Sequence, residues 1–367
     1  MHVICLRCRL SRTFIKFGIF RKYSWGVDQT GEIKVESLQR QCSGGVERQP
    51  LKKQISKIVL SQFDQQYPKE LGDLWESIRS VLLCPNSWQY AVLLNRFNVS
   101  LDLKKCLCSK GYVPLQSTIS GHQKNPLECF VSKTFSRFPS QKHHPGVLKQ
   151  YYLLGAASVL PVLALEPQNG DRILDMCSAP GGKSIAIMQA ALPGHLHCND
   201  QNSCRVKRLK ETLESFIPSC FNDAVTVSNL DGRCFGAEET FDKVLVDAPC
   251  SNDRSWLFSR DAQTHIRQRW HLPTLQIQLL RSAINSVRPG GTVVYSTCTL
   301  SRAENENVVA TVLSSCDKVE LIDLNSLIAS MSVHFCYAPG LHIGHLIIPE
   351  NSRPWGPMYV AKLKKLH

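Results

Sequence analysis

The sequence predicts an α/β protein, in which a Rossmann-like, doubly wound and mostly parallel sheet follows a smaller N-terminal helical or irregular region. From about residue 150, short apolar runs alternate with amphipathic stretches, which indicates parallel strands covered by helices on both faces. Before that point strand-like runs are few, and aromatic residues stand among basic ones. The 367 residues are enough for two domains with separate cores.

The chain is basic, with 43 Lys and Arg against 30 Asp and Glu and a net charge of +13. Such an excess is common in proteins that bind polyanions. Residues 1–27 contain Arg and Lys but no acid, and Phe and Ile are interleaved with them, which is the composition of a mitochondrial transit peptide. We therefore expect a transit peptide over 1–27 and an address in the mitochondrial matrix. A basic arm that contacts nucleic acid is the alternative.

Residues 28–148 are predicted to form an N-terminal RNA-recognition region. Between residues 104 and 149 there are eight Lys or Arg and a single acid, Glu128. Tyr112, Phe130, Phe135 and Phe138 lie among them. Basic side chains neutralise phosphates and aromatic faces stack on unpaired bases. A solvated basic face above ordinary core aromatics explains the same composition equally well.

No metal site and no membrane span are expected. The sixteen cysteines are scattered through a large chain, which does not suggest a disulfide framework. Cys5 and Cys8 form a CxxC pair, but no second pair follows at zinc spacing. The apolar run 151–165 is about half as long as a bilayer span requires and contains Pro161, so it predicts a buried helix.

The domain from 149 to 367 is predicted from its periodicity. Strand-like runs are found at 172–176, 195–199, 224–228, 243–246 and 292–296. Amphipathic helical stretches follow at 183–191, 205–216, 275–287 and 304–313. A final run at 358–363 is expected to return as an edge strand.

A ligand site is predicted where the strands end, because doubly wound sheets bind ligands at the carboxyl ends of their strands. Gly181 and Gly182 follow the first strand and allow close approach of the backbone to a ligand. Asp200, Asp231 and Asp247 follow the second, third and fourth strands. A carboxylate after the second strand suits a ribose diol, and one after the third suits an adenine amino group. A helix N-cap is the alternative role for each acid alone. Neither GxGxxG nor a Walker lysine loop is present, which disfavours NAD and ATP.

Two cysteines end two central strands, Cys250 after the fourth and Cys298 after the fifth. A free cysteine is most often a small buried hydrophobe, but both stand at the predicted active edge. The pair suits methylation at carbon 5 of cytosine, since that carbon becomes nucleophilic only after a thiolate adds to carbon 6. A carboxylate such as Asp247 can hold the N3 and amino edge of the base. The nucleophile then needs a lowered pKa and a nearby acid or base.

These residues resemble the NOL/NOP/Sun family of RNA cytosine-5 methyltransferases. The resemblance covers about residues 145–363 and rests on three motifs in order: residues 175–183, residues 247–250, and residues 296–299 followed by Glu-Asn-Glu at 304–306. It implies a class I methyltransferase fold, with Cys298 as nucleophile, Cys250 as the residue that aids product release and Asp247 as the base-binding carboxylate. It also implies that S-adenosyl-L-methionine is held by Cys177, Ser178, Ala179, Pro180, Gly181, Gly182, Lys183, Asp200, Asp231 and Asp247.

The sequence departs from the common family pattern at two places, and both departures indicate one branch of the family. Most members continue Pro-Cys-Ser with Gly-x-Gly, whereas this chain continues with Asn-Asp-Arg-Ser-Trp-Leu-Phe at 252–258. The run Tyr-Tyr-Leu-Leu-Gly-Ala-Ala-Ser at 151–158 is also unusual. Both resemble the mitochondrial branch of the family, and above all its members that modify the anticodon wobble cytosine of a methionine tRNA. The expected partner is therefore RNA, specifically a tRNA.

Three alternatives stay open at this point. Within the family, the substrate could be mitochondrial small-subunit ribosomal RNA. A non-catalytic RNA-binding or ribosome-assembly factor on the same fold would not need both cysteines. A DNA cytosine methyltransferase would take its nucleophile from the Pro-Cys after the fourth strand and lack the cysteine after the fifth.

Overall fold

The computed structural model describes residues 55–98, 100–115, 127–134, 136–235, 239–259 and 261–367. The transit peptide predicted for 1–27, with Cys5 and Cys8, lies outside these residues, as does Phe135. Within the described part of the chain, no helix combines the length and the apolar character that crossing a membrane requires.

The N-terminal region is more regular than the sequence predicted. It contains α1 (Lys57–Leu71), α2 (Leu74–Leu83), β1 (Ala91–Leu94), α3 (Leu101–Ser109), β2 (Tyr112–Pro114), β3 (Cys129–Ser132) and β4 (Tyr151–Leu154). The four strands form an antiparallel sheet in the order β2-β3-β1-β4. Tyr112, Phe130 and Phe138 are buried in a core cluster with Leu107 and Tyr151. They are core aromatics, which is one of the two alternatives that the sequence left open for them.

The run 151–165 is not a single buried helix. Its first four residues are β4, which pairs with β1 in the N-terminal sheet. A 3-10 turn (Ala156–Val159) and α4 (Leu160–Leu165) follow. The run is largely buried as expected, but it leaves the small sheet, turns and ends in a helix that packs against the large sheet, and its aromatic start fits a strand.

The second sheet confirms the predicted fold. Its parallel core consists of β5 (Arg172–Asp175), β6 (His195–Asn199), β7 (Val225–Ser228), β8 (Phe241–Asp247) and β9 (Val287–Thr297). The antiparallel strands are β10 (Val319–Ile322), β11 (Cys336–Tyr337), β12 (His345–Ile348) and β13 (Met358–Lys365). The order is β11-β12-β13-β9-β8-β5-β6-β7, and β10 pairs with β13.

Helices cover both faces of this sheet. They are α5 (Gly182–Ala190), α6 (Ser203–Phe216), α7 (Asp253–Trp256), α8 (Ala262–Arg269), α9 (Leu272–Ser286), α10 (Glu306–Ser314) and α11 (Asn325–Met331). In α6, Asn202 caps the first turn by accepting a hydrogen bond from the Arg205 N–H. Val206, Leu209 and Leu213 then recur at helical spacing and are buried against the sheet.

The strand predicted at the edge lies inside the sheet. β13 pairs antiparallel with β9 on one side and with β12 and β10 on the other. Nearly all of its side chains are therefore buried, including Lys362 and Lys365, whose ammonium groups bind Glu166 and Glu239.

The sheet reverses its order between β5 and β8, which are neighbours in space although β6 and β7 separate them in sequence. Ligands of doubly wound sheets bind outside the carboxyl ends of the strands at such a switch point. The loops after β5, β8 and β9 all open there.

Candidate active site

The loop after β5 is shaped by glycine. Gly181 has φ of +108°, a left-handed conformation that favours glycine, and α5 starts at the next residue. A Cβ on Gly182 would lie 3.0 Å from Cε1 of Tyr152. The Ser178 N–H donates to the Asn199 carbonyl oxygen at 2.8 Å, which connects the loop to the end of β6. The loop therefore presents its backbone at the N-terminus of α5, as expected for a ligand-binding turn.

A cavity of about 340 Å³ opens beside this loop and below the ends of β6 and β8. Its lining combines an acid and amides with an apolar wall, consisting of Met176, Cys177, Asn199, Asp200, Gln201, Asn202, Arg205, Gly232, Pro249, Leu275 and Leu279. A Cβ at Gly232 would lie 2.7 Å from Cδ2 of Leu279 and 3.1 Å from Cγ of Met176. The apolar slot between these side chains therefore needs glycine at position 232.

Asp200 lines this cavity, and one oxygen of its carboxylate accepts no hydrogen bond from the described residues. Its Oδ1 accepts from the Asn202 N–H at 3.0 Å. Its Oδ2 is buried and, among the described residues, accepts no hydrogen bond, although Nη1 of Arg205 lies 3.2 Å away. A buried acceptor without a donor is costly unless a ligand supplies one. A ribose diol supplies hydroxyl donors, so the cavity fits the nucleoside end of S-adenosyl-L-methionine.

The Asp231 side chain binds Arg233, two positions further along the chain. Its carboxylate accepts from the Arg233 N–H at 3.0 Å and forms a close ion pair with the Arg233 guanidinium at 2.6 Å. Hydrogen bonding and the positive charge of Arg233 lower the pKa of Asp231. Asp231 therefore caps a short turn (Gly232–Cys234), which is the alternative role that the sequence left open. Its contact with an adenine amino group stays a prediction.

Asp175, at the end of β5, is fully buried beneath the loop. Its Oδ2 accepts from the Ser184 hydroxyl at 2.7 Å. Burial, which outweighs this hydrogen bond, raises the pKa of the carboxyl to about 7, and the charges of Asp247 and Asp200 act in the same direction. Asp175 therefore supports the loop from below rather than facing a ligand.

The two predicted cysteines meet. Sγ of Cys250 lies 3.3 Å from Sγ of Cys298, and the Cys298 N–H points to the Cys250 sulfur at 3.3 Å. The hydrogen bond to Cys298 and then burial raise the pKa of Cys250 well above its usual value, and the charge of Glu304 adds to this effect. The Cys250 thiol is therefore harder to ionise than an ordinary cysteine.

Lys183, predicted to bind the cofactor, reaches Asp247 at the end of β8. Its Nζ donates to Oδ2 of Asp247 at 2.6 Å, while Oδ1 of Asp247 accepts from the Ser296 hydroxyl at 3.0 Å. Burial lowers the pKa of Lys183, but the Asp247 carboxylate outweighs burial, and the net shift is upward. Cys298 is close enough that its negative charge contributes to this rise. A cation therefore lies beside the predicted nucleophile.

The Glu-Asn-Glu motif at 304–306 supports the loops that carry the cysteines. Glu304 accepts from the Ser251 N–H at 2.9 Å, next to Cys250. The Asn305 amide donates to the Thr299 carbonyl oxygen at 2.9 Å, next to Cys298. Glu306 accepts from the backbone of a third loop at His342. The motif therefore holds the loops of both cysteines through hydrogen bonds to their backbone, and the charge of Glu304 also acts on Cys250.

Sequence reasoning missed the apolar wall of the cavity. Met176, Leu275 and Leu279 follow ordinary core periodicity, so nothing in the sequence marks them as ligand contacts. Gly232 could have been found, since it is a glycine directly after the third predicted strand end. Within the described residues, no group of three or more His, Cys, Asp and Glu side chains could hold a metal ion.

The amino-acid sequence of the chain is similar to those of known proteins. Residues 162–364 match the family model described as 16S rRNA methyltransferase RsmB/F. The mitochondrial tRNA (cytosine(34)-C(5))-methyltransferase of Mus musculus is 51% identical over 321 residues, which cover 86% of this chain and 92% of that protein. The 5-cytosine rRNA methyltransferase NSUN4 of Mus musculus is 37% identical, with 85% of this chain and 89% of that protein covered.

Solved structures agree in fold. NSun6 from Pyrococcus horikoshii with SFG superposes with a TM-score of 0.62 at 20% identity, covering 86% of this chain and 99% of that one. A methyltransferase homolog protein from the same organism gives a TM-score of 0.61 at 23% identity, covering 85% and 100% of the two chains.

Proposed function

The chain belongs to the RsmB/F family of RNA methyltransferases, and on that premise we propose that it methylates carbon 5 of the anticodon wobble cytosine of mitochondrial methionine tRNA through a covalent intermediate on Cys298. The named relatives at 51% and 52% identity are tRNA (cytosine(34)-C(5))-methyltransferases described as mitochondrial. Together with the acid-free residues 1–27, these names support the mitochondrial matrix as the place of action.

The observation that carries the proposal is the pair of thiols 3.3 Å apart after the carboxyl ends of β8 and β9, near the Lys183–Asp247 ion pair. The hydrogen bond to Cys298 and burial raise the pKa of Cys250, and the charge of Glu304 adds to this effect. Cys298 directly follows β9 in the Ser-Thr-Cys-Thr motif at 296–299, and this motif position supports it as the sulfur that attacks carbon 6 of cytosine.

Asp247 and Lys183 together suit the polar edge of the base. The Asp247 side chain is about 30% exposed, so it can reach a substrate while Lys183 and Ser296 hold it. A carboxylate that accepts from the amino group orients the ring as the Cys298 sulfur bonds to carbon 6 and the electron pair of the 5,6 double bond moves to carbon 5. S-adenosyl-L-methionine, when bound in the cavity of Asp200 and Gly232, supplies the methyl group that carbon 5 takes up.

Release of the product requires that carbon 5 lose its proton and that the carbon 6–sulfur bond break, with the electron pair returning to Cys298. Cys250 is placed for this step. Its pKa is raised chiefly by its hydrogen bond to Cys298, and the charge of Cys298 contributes. Both effects end once Cys298 is bonded to the base. Cys250 can then ionise, give its own proton to solvent and act as the base for the carbon 5 proton.

A ribosomal RNA substrate is the second candidate. The 37% identity to NSUN4, a 5-cytosine rRNA methyltransferase, and the 16S rRNA description of the family model favour it. An anticodon loop nevertheless suits the site well, because its bases are already unpaired and the cost of extruding a base, a few kcal/mol, is largely avoided.

The decisive experiment separates the two cysteines. Cys298→Ala should abolish methylation of a methionine-tRNA anticodon stem-loop and any covalent adduct, while it still binds cofactor. Cys250→Ala should accumulate an RNA–protein adduct that survives denaturing electrophoresis, and the double variant should form none. Cys129→Ala, which removes a buried cysteine of the N-terminal sheet, is the matched control and should behave as wild type apart from reduced stability.

Other results would contradict the proposal. An adduct in Cys298→Ala but not in Cys250→Ala would reverse the two roles. Methylation of small-subunit rRNA fragments without methylation of the stem-loop would replace the tRNA substrate with the second candidate. Bisulfite sequencing of mitochondrial RNA from cells with and without the protein would locate the modified cytosine.

A further inference from the structure

The segment that replaces the family's Gly-x-Gly contains a fully buried acid. Asp253 is the first residue of α7 and has no exposed surface. The preceding Asn252 has φ of +40°, the left-handed region, which turns the chain so that Asp253 points inward. A charged side chain without water must be matched by donors from the protein.

Asp253 finds these donors on three separate segments. Its Oδ2 accepts from the Tyr67 hydroxyl of α1 at 2.7 Å. The same oxygen accepts from the Leu300 N–H at 2.6 Å and the Thr299 hydroxyl at 3.0 Å, both in the loop of Cys298. Its Oδ1 lies 3.0 Å from the Ser251 hydroxyl, next to Cys250. One carboxylate thus joins the two cysteine loops to each other and to α1.

A buried cation completes the cluster. Nη2 of Arg269 donates to the Tyr67 hydroxyl at 2.6 Å and lies 3.9 Å from Oδ1 of Asp253. Its Nε lies 3.6 Å from Glu304, the acid that holds the backbone of Ser251. Replacing a buried ionic cluster with apolar residues is often neutral or stabilising. Stability alone is therefore a weak reason for so many charges at this place.

The two cysteine loops depend on this cluster to different degrees. Cys298 directly follows β9, which pairs with β13 at Thr297 and with β8 at Ser296. Cys250 lies three residues beyond the end of β8, outside the ladder. Loosening the cluster should therefore move Cys250 more than Cys298.

We propose that Asp253, held by Tyr67 and Arg269, is a positioning residue that fixes the Cys250 loop against the Cys298 loop and thereby sets the rate of release of the covalent RNA adduct. The inference rests on the proposed function, because it concerns the same covalent intermediate. It gives α1, through Tyr67, and the segment of Asn252 and Asp253 a role in release of the adduct, the step that the cysteines perform.

Asp253→Asn tests this, since it keeps the shape of the side chain and removes the charge that accepts from Leu300, Thr299 and Tyr67. The expected result is a fall in kcat of about ten- to a hundredfold, with KM for RNA falling alongside it so that kcat/KM changes little, because the slowed step follows formation of the adduct. The denaturation-stable adduct should accumulate with wild-type RNA, as in Cys250→Ala. Tyr67→Phe removes one donor, keeps the ring among Phe63 and Trp75, and should act in the same direction with a smaller effect.

Two control variants separate positioning from stability. Asp64→Asn removes another acid of α1, which accepts from Trp75 and Arg79 and not from the cysteine loops. Tyr359→Phe removes another buried tyrosine hydroxyl, which donates to the Ile343 carbonyl oxygen. Both should lower the melting temperature without any adduct.

Unchanged kcat in Asp253→Asn and Tyr67→Phe, or a lower kcat without adduct, would overturn the inference. If Cys250→Ala accumulates adduct and the Asp253 and Tyr67 variants do not, the positioning role alone fails. If Cys250→Ala accumulates none either, the proposed covalent mechanism fails and this inference fails with it.

Discussion

The N-terminal sheet and the carboxyl edge of the large sheet use similar residue types in opposite ways. In and around the N-terminal sheet, Tyr112 and Phe138 are buried core, while the Lys105 and Lys133 side chains are exposed. At the edge of the large sheet, Lys183 and Asp253 are buried and hydrogen-bonded to groups beside the cysteines. One region separates its apolar and charged residues, and the other buries its charges where the chemistry is proposed.

The difference shows what burial does to a charge. An exposed lysine keeps its charge at little cost and can contribute to binding a polyanion without fixed geometry. A buried lysine must have a partner, and the partner fixes its position. Variants in the two regions should therefore fail in different ways, and the following predictions test that contrast.

The largest effect is expected at Lys183. Lys183→Gln removes the ammonium group that donates to Asp247, so the Asp247 carboxylate loses the partner that holds it and methylation should fall by about 10²–10⁴-fold. Steady-state kinetics of methylation and a direct assay of cofactor binding measure the size of the effect and its origin.

Lys243→Gln is the matched control, since Lys243 pairs with Asp171 at 3.1 Å near the start of β8, at the opposite end of the sheet. It should keep nearly full activity. If Lys183→Gln instead loses cofactor affinity in proportion to its activity, Lys183 belongs to the cofactor site, as the sequence alone indicated.

A smaller effect is expected at Asp175, and it concerns stability. Because its folded pKa is about 7 against 3.8 for the free group, the folded protein keeps a proton between these values that the unfolded chain has released. Stability from this group therefore falls as pH rises from about 4 to 7, by about 1.4 kcal/mol per pH unit.

Asp175→Asn should flatten that part of the pH dependence, which melting temperatures between pH 5 and 8 would show. Asp64→Asn should leave it unchanged, because the pKa of Asp64 is lowered by its hydrogen bond to Arg79 and Asp64 is ionised throughout that range. Equal slopes in wild type and Asp175→Asn would contradict the raised pKa.

The smallest effect is expected in the N-terminal region, where stability and RNA affinity should separate. Phe138 packs edge-on against Tyr112 and Tyr151, so Phe138→Leu should cost about 1–2 kcal/mol and leave RNA affinity unchanged. The double variant Lys105→Ala, Lys133→Ala should weaken RNA binding. The slope of log affinity against log salt concentration should become shallower by about 0.7 for each phosphate that the variant no longer neutralises. Melting curves and binding titrations at several salt concentrations measure both.

Lys318→Ala removes an exposed lysine near the start of β10 and serves as the control, with no change in either quantity. If Phe138→Leu reduced the free energy of RNA binding by as much as the free energy of unfolding, the contrast between the two regions would be contradicted.

The sequence predicted the parallel strands, the loop of Gly181 and the meeting of Cys250 with Cys298, because local periodicity and motif order carry that information. It could not predict the depth of Tyr112 or Phe138, since composition does not distinguish a buried ring from a stacking face. Nor could it predict contacts formed by long side chains across the fold. Lys183 reaches Asp247 over 64 positions of sequence, and Tyr67 reaches Asp253 over 186.

The interior place of β13 has a consequence for how the protein is made. The strand that ends at the nucleophile, β9, lacks its neighbour on one side until the ribosome has passed Lys365. Pairing between segments so distant in sequence forms late and slowly. A nascent chain that stops before residue 358 therefore contains every motif of the active site but leaves β9 as an open edge, prone to aggregate. Only the completed polypeptide assembles the sheet that holds Cys298.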